Sequence, residues 1–198
     1  MNKLYGLVLC GGQSSRMGED KSLLNYHGKP QRYFLYDLLK PWCEKVFISC
    51  NSNQAQSVLS SYEKIVDEKK YSGTGPMGAL LSAFENYPDA SFLVAGCDYP
   101  FIRNDHVKKL IDVRIGLDDA ICYRHKDSGI IEPLFAIYES DSRKILQENF
   151  KEKRYSLQHF LNEANTCLIV PDDLDFLESI DSVKDYFRIK EILSAKLN

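Results

Sequence analysis

The passage from Leu7 to Lys29 restricts this chain more than any other: an apolar run ends in Gly11-Gly12, and the turn beyond it carries Arg16, Gly18 and Lys21. Gly11 and Gly12 lack a Cβ, so the backbone can turn sharply and bring its N–H groups against an anion, while Arg16 and Lys21 supply fixed positive charge to phosphate oxygens. A strand running into a cradle for a nucleoside triphosphate is the first implication. The glycines do not fit the dinucleotide fingerprint G-x-G-x-x-G. They also miss the P-loop: five residues separate Gly12 from Gly18, and Glu19 and Asp20 stand between Gly18 and Lys21, where a P-loop has four residues between its glycines and then Gly-Lys-Ser directly.

Strand-like apolar runs at Leu4–Cys10, Val46–Cys50, Ser91–Gly96, Ala120–Tyr123 and Leu134–Tyr138 alternate with helix-length segments at Arg32–Leu39, Gln54–Tyr62, Met77–Tyr87 and Asp105–Val113. This order predicts an α/β fold, Rossmann-like, with a mostly parallel sheet and helices on both faces. In such a sheet the ligand sits beyond the carboxyl ends of the strands, where Gly11, Asn51 and Asp98 all fall. Asp141–Asn149 and Ser156–Asn165 read as helices, Cys167–Val170 as a short strand, and Val183–Leu197 as a closing amphipathic helix. That helix carries Val183, Tyr186, Phe187, Ile189, Ile192 and Leu193 on one stripe. Tyr71–Gly78, with its glycines, reads as a loop over the nucleotide. No boundary interrupts the chain, so 1–198 is expected to form a single domain.

A net charge of −3 argues against a broad nucleic-acid footprint. No apolar run reaches membrane-spanning length and Lys3–Cys10 is a strand rather than a signal segment, so a cytoplasmic protein without membrane association is expected. The six cysteines, Cys10, Cys43, Cys50, Cys97, Cys122 and Cys167, show no C-x-x-C spacing. Reduced structural thiols are expected, although Cys10, Cys50 and Cys97 each end a strand, where a soft metal could gather them. The histidines are scattered without ligand spacing.

Asp98 follows the run Phe92-Leu-Val-Ala-Gly and precedes Tyr99-Pro100. A carboxylate emerging at a strand end suits Mg²⁺, which prefers carboxylate and phosphate oxygens; capping the following turn is the competing role. The basic cluster Lys151-Glu152-Lys153-Arg154 is either an entrance for an anionic acceptor or a solvated helix start.

From Leu9 to Pro30 the sequence resembles the nucleotidyltransferase signature L-A-G-G-x-S-x-R-M-G-x-D-K-x-L-L-x-x-x-G-K-P at nearly every position. Gly75-Pro76-Met77-Gly78-Ala79-Leu80, Ala95-Gly96-Cys97-Asp98-Tyr99-Pro100-Phe101 and Glu132-Pro133-Leu134-Phe135-Ala136-Ile137-Tyr138 are similar, in order, to further segments of the molybdenum cofactor guanylyltransferases, which join GMP from GTP to molybdopterin. The resemblance implies a nucleotide-diphospho-sugar transferase-like fold. It also implies nucleotide contacts at Leu9, Cys10, Gly11, Gly12, Lys21, Asn51, Asp67 and Asp98, catalytic roles for Arg16, Lys21 and Asp98, and Mg²⁺ on Asp98. The family has a further segment near Ser179–Asp185, which makes Asp181 the candidate for a second metal ligand; the alternative is that Asp181 or Ser182 caps the last helix. GTP, molybdopterin and molybdoenzyme-maturation proteins are the implied partners. Cys10 stands where the family usually has Ala.

The resulting expectation is Mg²⁺-dependent transfer of GMP from GTP to molybdopterin. CMP transfer to the same acceptor, or nucleotidyl transfer to another small phosphate or sugar phosphate, remains open beside it. A P-loop NTPase fails on its glycine-lysine spacing. A non-catalytic nucleotide-binding module would be expected to have lost Arg16, Lys21 or Asp98.

Overall fold

The computed structural model describes residues 2–10, 20–171, 175–180 and 182–195. Its strands are β1 (Leu4–Leu9), β2 (Lys45–Cys50), β3 (Lys64–Val66), β4 (Ser91–Gly96), β5 (Ala120–Arg124), β6 (Ile131–Tyr138) and β7 (Thr166–Ile169). Its helices are α1 (Gln31–Leu39), α2 (Pro76–Asn86), α3 (Asn104–Asp112), α4 (Ser142–Lys151), α5 (Leu157–Glu163) and α6 (Val183–Ala195). They build one seven-stranded sheet in the order β3-β2-β1-β4-β6-β5-β7, with β6 antiparallel to both its neighbours and every other pairing parallel.

Alternation along the strands separates two cores. In β1, Leu4 and Val8 face the layer of α1, α3 and α6, while Tyr5, Leu7 and Leu9 face α2, α4 and α5; in β4, Leu93 and Ala95 face the first layer, and Phe92 and Val94 the second. Because both faces are covered, β1 and β4 are fully buried, and apart from Ser91 at the start of β4 they carry no polar side chain other than the Tyr5 phenol. Gly6 serves the first layer, because a Cβ there would lie 3.1 Å from Leu39 Cδ1 and from both methyls of Val46. The chain moves outward from β1 through β2 to β3, then returns through α2 to β4 on the other side of β1. This reversal opens a crevice at the carboxyl ends of β1 and β4, the usual ligand position in such sheets.

The structure departs from the sequence reading at several elements. The helix expected over Gln54–Tyr62 is a single 3-10 turn, Gln54–Ser57, followed by β3, which periodicity missed at three residues. Ser57 Oγ bonds back to the Gln54 carbonyl at 2.7 Å, a side-chain competitor of helix propagation. The Tyr71–Gly78 loop is shorter than expected, because α2 starts at Pro76 and takes in Gly78. A Cβ on Gly78 would lie 2.6 Å from the Tyr71 carbonyl. On α6, Ile189 is buried and Tyr186, Ile192 and Leu193 pack on the first core, but Phe187 stays 59% exposed and leaves the expected stripe. The basic cluster connects α4 to α5 rather than opening a helix, and Arg154 is engaged by Asn149, Glu152 and Glu163. No helix among the described residues is long and apolar enough to cross a membrane.

Candidate nucleotide site at the carboxyl end of the sheet

Leu9 ends β1, and the Cys10 N–H continues the ladder to the Ser49 carbonyl at 3.1 Å. Gly11, Gly12 and Arg16 lie outside the described residues, which resume at Asp20. There the Asp20 carboxylate caps the 3-10 turn Lys21–Leu23, accepting from the Ser22 N–H at 2.9 Å. Gln54 joins the two residues that flank positions 11–19: its Nε2 donates to the Cys10 carbonyl at 3.2 Å and to Asp20 Oδ2 at 2.8 Å. Asn51, just past β2, delivers it, since Asn51 Oδ1 accepts from the N–H groups of Asn53 at 2.9 Å and Gln54 at 3.0 Å. Asn51 thus has a clear structural duty, and Gln54 is a site-building residue that sequence reasoning missed. The only sequence signal for it was its distance of three residues from Asn51, an Asx-turn spacing.

Asp67 follows β3, and the β2–β3 pairing sets it beside the end of β2, where its N–H donates to the Cys50 carbonyl at 3.0 Å. Ser49 Oγ donates to its carboxylate at 2.7 Å. Burial pushes the Asp67 carboxyl above its ordinary range, and the Ser49 hydrogen bond only partly opposes this.

Asp98 lies half-buried beyond β4. Gly96 makes room for it, because a Cβ at that position would stand 2.6 Å from Asp98 Oδ1. The Ile180 N–H donates to the Asp98 carbonyl at 3.1 Å, and the Ile180 carbonyl accepts from Lys21 Nζ. One residue of the C-terminal segment therefore joins the lysine of the first motif to the aspartate of the third. Asp181 follows it directly and lies outside the described residues. Ser182 and Asp185 form the cap of α6: Ser182 Oγ accepts from the Asp185 N–H at 3.2 Å, and Asp185 Oδ2 accepts from the Ser182 N–H at 2.9 Å. The capping role open to Asp181 or Ser182 thus belongs to Ser182.

Glu132, read in the sequence only as part of a strand motif, is a second carboxylate at this end of the sheet. It is 8% exposed, and its Oε1 accepts from the Leu134 N–H at 2.9 Å. Burial raises its carboxyl pKa, with the Asp98 charge adding to the rise; hydrogen bonds from Leu134 and the Tyr99 hydroxyl and the nearby His125 oppose it.

The strand-end thiols separate into a pair and a single. Cys10 Sγ and Cys97 Sγ are 3.8 Å apart, whereas Cys50 Sγ turns to the Ile65 carbonyl at 3.9 Å. All six cysteines are free. Burial holds Cys97 well above the ordinary thiol range and pushes Cys50 up to about 11, which keeps both protonated at neutral pH. Among the described residues no group of three or more His, Cys, Asp or Glu could hold a metal ion. The donors present suit a hard cation instead: Mg²⁺ takes one or two carboxylates and completes its shell with phosphate oxygens and water, so it needs no cage built from protein alone.

Residues 6–170 match the family model described as the MobA-like NTP transferase domain. A molybdenum cofactor biosynthesis bifunctional protein of Synechocystis is 36% identical over 187 residues, which cover 94% of this chain; the chain spans 53% of that relative's length. A probable molybdenum cofactor guanylyltransferase of Methanocaldococcus jannaschii is 30% identical over 200 residues, covering 96% of this chain and 97% of the relative. Among solved structures, molybdopterin-guanine dinucleotide biosynthesis protein A from Archaeoglobus fulgidus superposes with a TM-score of 0.79 at 22% identity, covering 96% of this chain and 99% of that one. The superposition bears out the expected fold. The chain, a nucleotidyltransferase by its domain, belongs to the MobA-like NTP transferase family.

Proposed function

We propose that the protein transfers GMP from GTP to molybdopterin in the presence of Mg²⁺, forming the guanine dinucleotide and releasing pyrophosphate. The observation that carries this reading is the convergence at Ile180, whose carbonyl receives Lys21 and whose N–H holds the Asp98 turn. The names of the relatives support the choice of base and acceptor. On this reading 1–198 is one nucleotidyltransferase domain working in the cytoplasm, beside the molybdoenzyme-maturation proteins that use its product.

In the proposed site the backbone at Leu9, Cys10, Gly11 and Gly12 receives the nucleotide, with Asn51 and Asp67 at the ends of β2 and β3 flanking it. An acceptor phosphate is already anionic at neutral pH, so its oxygen attacks the α-phosphorus without a general base. The new P–O bond forms as the bond to the β-phosphate oxygen breaks. What the protein must supply is alignment of two anions and relief of their repulsion. Lys21 answers the α-phosphate, its ammonium held by the Ile180 carbonyl next to the turn that carries Asp98. Arg16 answers the departing pyrophosphate. Asp98 and Asp181 hold Mg²⁺, which supplies charge neutralisation on the triphosphate. The cap formed by Ser182 and Asp185 supports the role of Asp181, because α6 does not need it as a cap.

The test is incubation of purified protein with Mg²⁺, each nucleoside triphosphate and molybdopterin, measuring pyrophosphate. Release with GTP, dependent on molybdopterin, is expected. Release with CTP instead moves the protein to cytidylyl transfer, and release only with a sugar phosphate as acceptor overturns the molybdopterin assignment.

A further inference from the structure

The turn that carries Asp98 is gripped at every residue. The Asp98 carbonyl accepts from the Ile180 N–H at 3.1 Å, the Tyr99 carbonyl from Gln31 Nε2 at 3.2 Å, and the Pro100 carbonyl from the ring N–H of His27 at 2.8 Å. Tyr99 is itself buried, at 5% exposed. Its ring lies over the end of β4, 3.4 Å from where a Gly96 Cβ would stand, so shifting Tyr99 would shift the space that Asp98 Oδ1 occupies.

Gln31 is a poor choice if stability were its purpose. It is 0% exposed, and its Oε1 has no hydrogen-bond partner among the described residues. A hydrocarbon side chain would avoid the cost of burying that unpaired oxygen. What the amide supplies instead is the donor to the Tyr99 carbonyl, delivered from the first residue of α1.

We propose that Gln31 is a positioning residue that holds Tyr99 by its carbonyl, and through it sets the Asp98 carboxylate for a divalent cation. The inference rests on the reading of Asp98 as a cation-holding group. Groups behind a ligand of this kind change metal affinity by about ten- to a hundred-fold when removed.

The experiment compares Gln31→Leu with the unmodified protein. It reads Mn²⁺ binding by electron paramagnetic resonance in the presence of GTP, the Mg²⁺ concentration for half-maximal pyrophosphate release, and the melting temperature. Gln31→Leu should weaken Mn²⁺ binding and raise the Mg²⁺ requirement by about ten-fold at a temperature where the variant is still fully folded. Unchanged Mn²⁺ binding in Gln31→Leu, or a loss that vanishes when binding is measured well below the variant's melting temperature, would overturn the proposal. Normal Mn²⁺ binding without pyrophosphate release from any nucleotide would overturn the transfer reading and leave this one standing, while absence of Mn²⁺ binding in the unmodified protein would overturn this one.

Discussion

At the amino end of the sheet, Arg114 closes on Glu139 with Nε to Oε1 at 2.6 Å and Nη2 to Oε2 at 2.8 Å, Ser91 Oγ adds a bond at 2.5 Å, and Arg114 also reaches the Asn2 carbonyl at 3.1 Å. Both charged side chains are 8% exposed. At the carboxyl end two carboxylates are held differently: Asp67 has a serine hydroxyl where Glu139 has a guanidinium, and Glu132 accepts from a backbone N–H. A bidentate ion pair satisfies its members mutually and leaves nothing for a ligand to do. Carboxylates held by neutral donors keep their charge to offer, at the cost of the raised pKa values seen for Asp67 and Glu132. One end closes its carboxylate in an ion pair, and the other holds Asp67 and Glu132 against neutral donors.

The largest expected effect tests the closed end. Arg114→Leu leaves the Glu139 carboxylate buried with only Ser91, and breaking a buried pair in this way costs about 3–5 kcal/mol. Chemical unfolding should show that loss, while pyrophosphate release per folded molecule stays as it was. A changed rate with unchanged stability would abolish the contrast between the two ends.

Asp67→Asn probes the open end in the opposite sense. The folded carboxyl sits above its ordinary value of 3.8, so the fold favours the proton and ionisation at neutral pH costs stability. That cost sets in as pH rises through 3.8 and is complete above the folded value. Asn retains an acceptor for Ser49 without the charge. The melting temperature at neutral pH should rise, and nucleotide affinity measured by calorimetry should fall by about ten-fold, the worth of one charge-assisted hydrogen bond. Loss of stability with full affinity would make Asp67 a structural residue like Glu139.

The smallest effect concerns His27, stacked on Phe34 at 3.7 Å and bonded to the Pro100 carbonyl. Burial, reinforced by Lys29, lowers its pKa below 6.5 despite that bond. The unfolded chain takes up the proton first, so the contribution of His27 is whole above 6.5 and is lost as pH falls toward the folded value. The melting temperature of the unmodified protein should therefore fall, as pH drops below 6.5, more steeply than that of His27→Gln, whose amide can still donate to Pro100. Equal slopes would remove His27 from the grip on this turn.

The strands of the central sheet were legible because both their faces are buried, which leaves long apolar runs at β1, β2 and β4. β3 was not, since three residues carry no period, and the Gln54–Tyr62 segment had a helical pattern that Ser57 and Asn51 override through side-chain bonds to backbone. In the site, Lys21 and Asp98 stood out by their fixed places around glycines and prolines, and the structure brings them to one residue. Gln54 and Gln31 did not stand out, because each acts on a carbonyl contributed by a distant segment, and such contacts leave no local spacing. Gly11, Gly12, Arg16 and Asp181 lie outside the described residues, so their roles rest on the family signature.

The central claim, that the carboxyl end is a metal-assisted transfer site and not a second structural lock, is tested most directly on Asp98→Asn, with pyrophosphate release and thermal unfolding measured on the same preparation. Asn keeps the size and removes the charge. The account predicts a fall in turnover on the order of a hundred-fold with little change in melting temperature, since charge stabilisation through a bound metal is worth several kcal/mol to the transition state alone. Near-normal turnover per folded molecule, with the melting temperature sharply lowered, would contradict it.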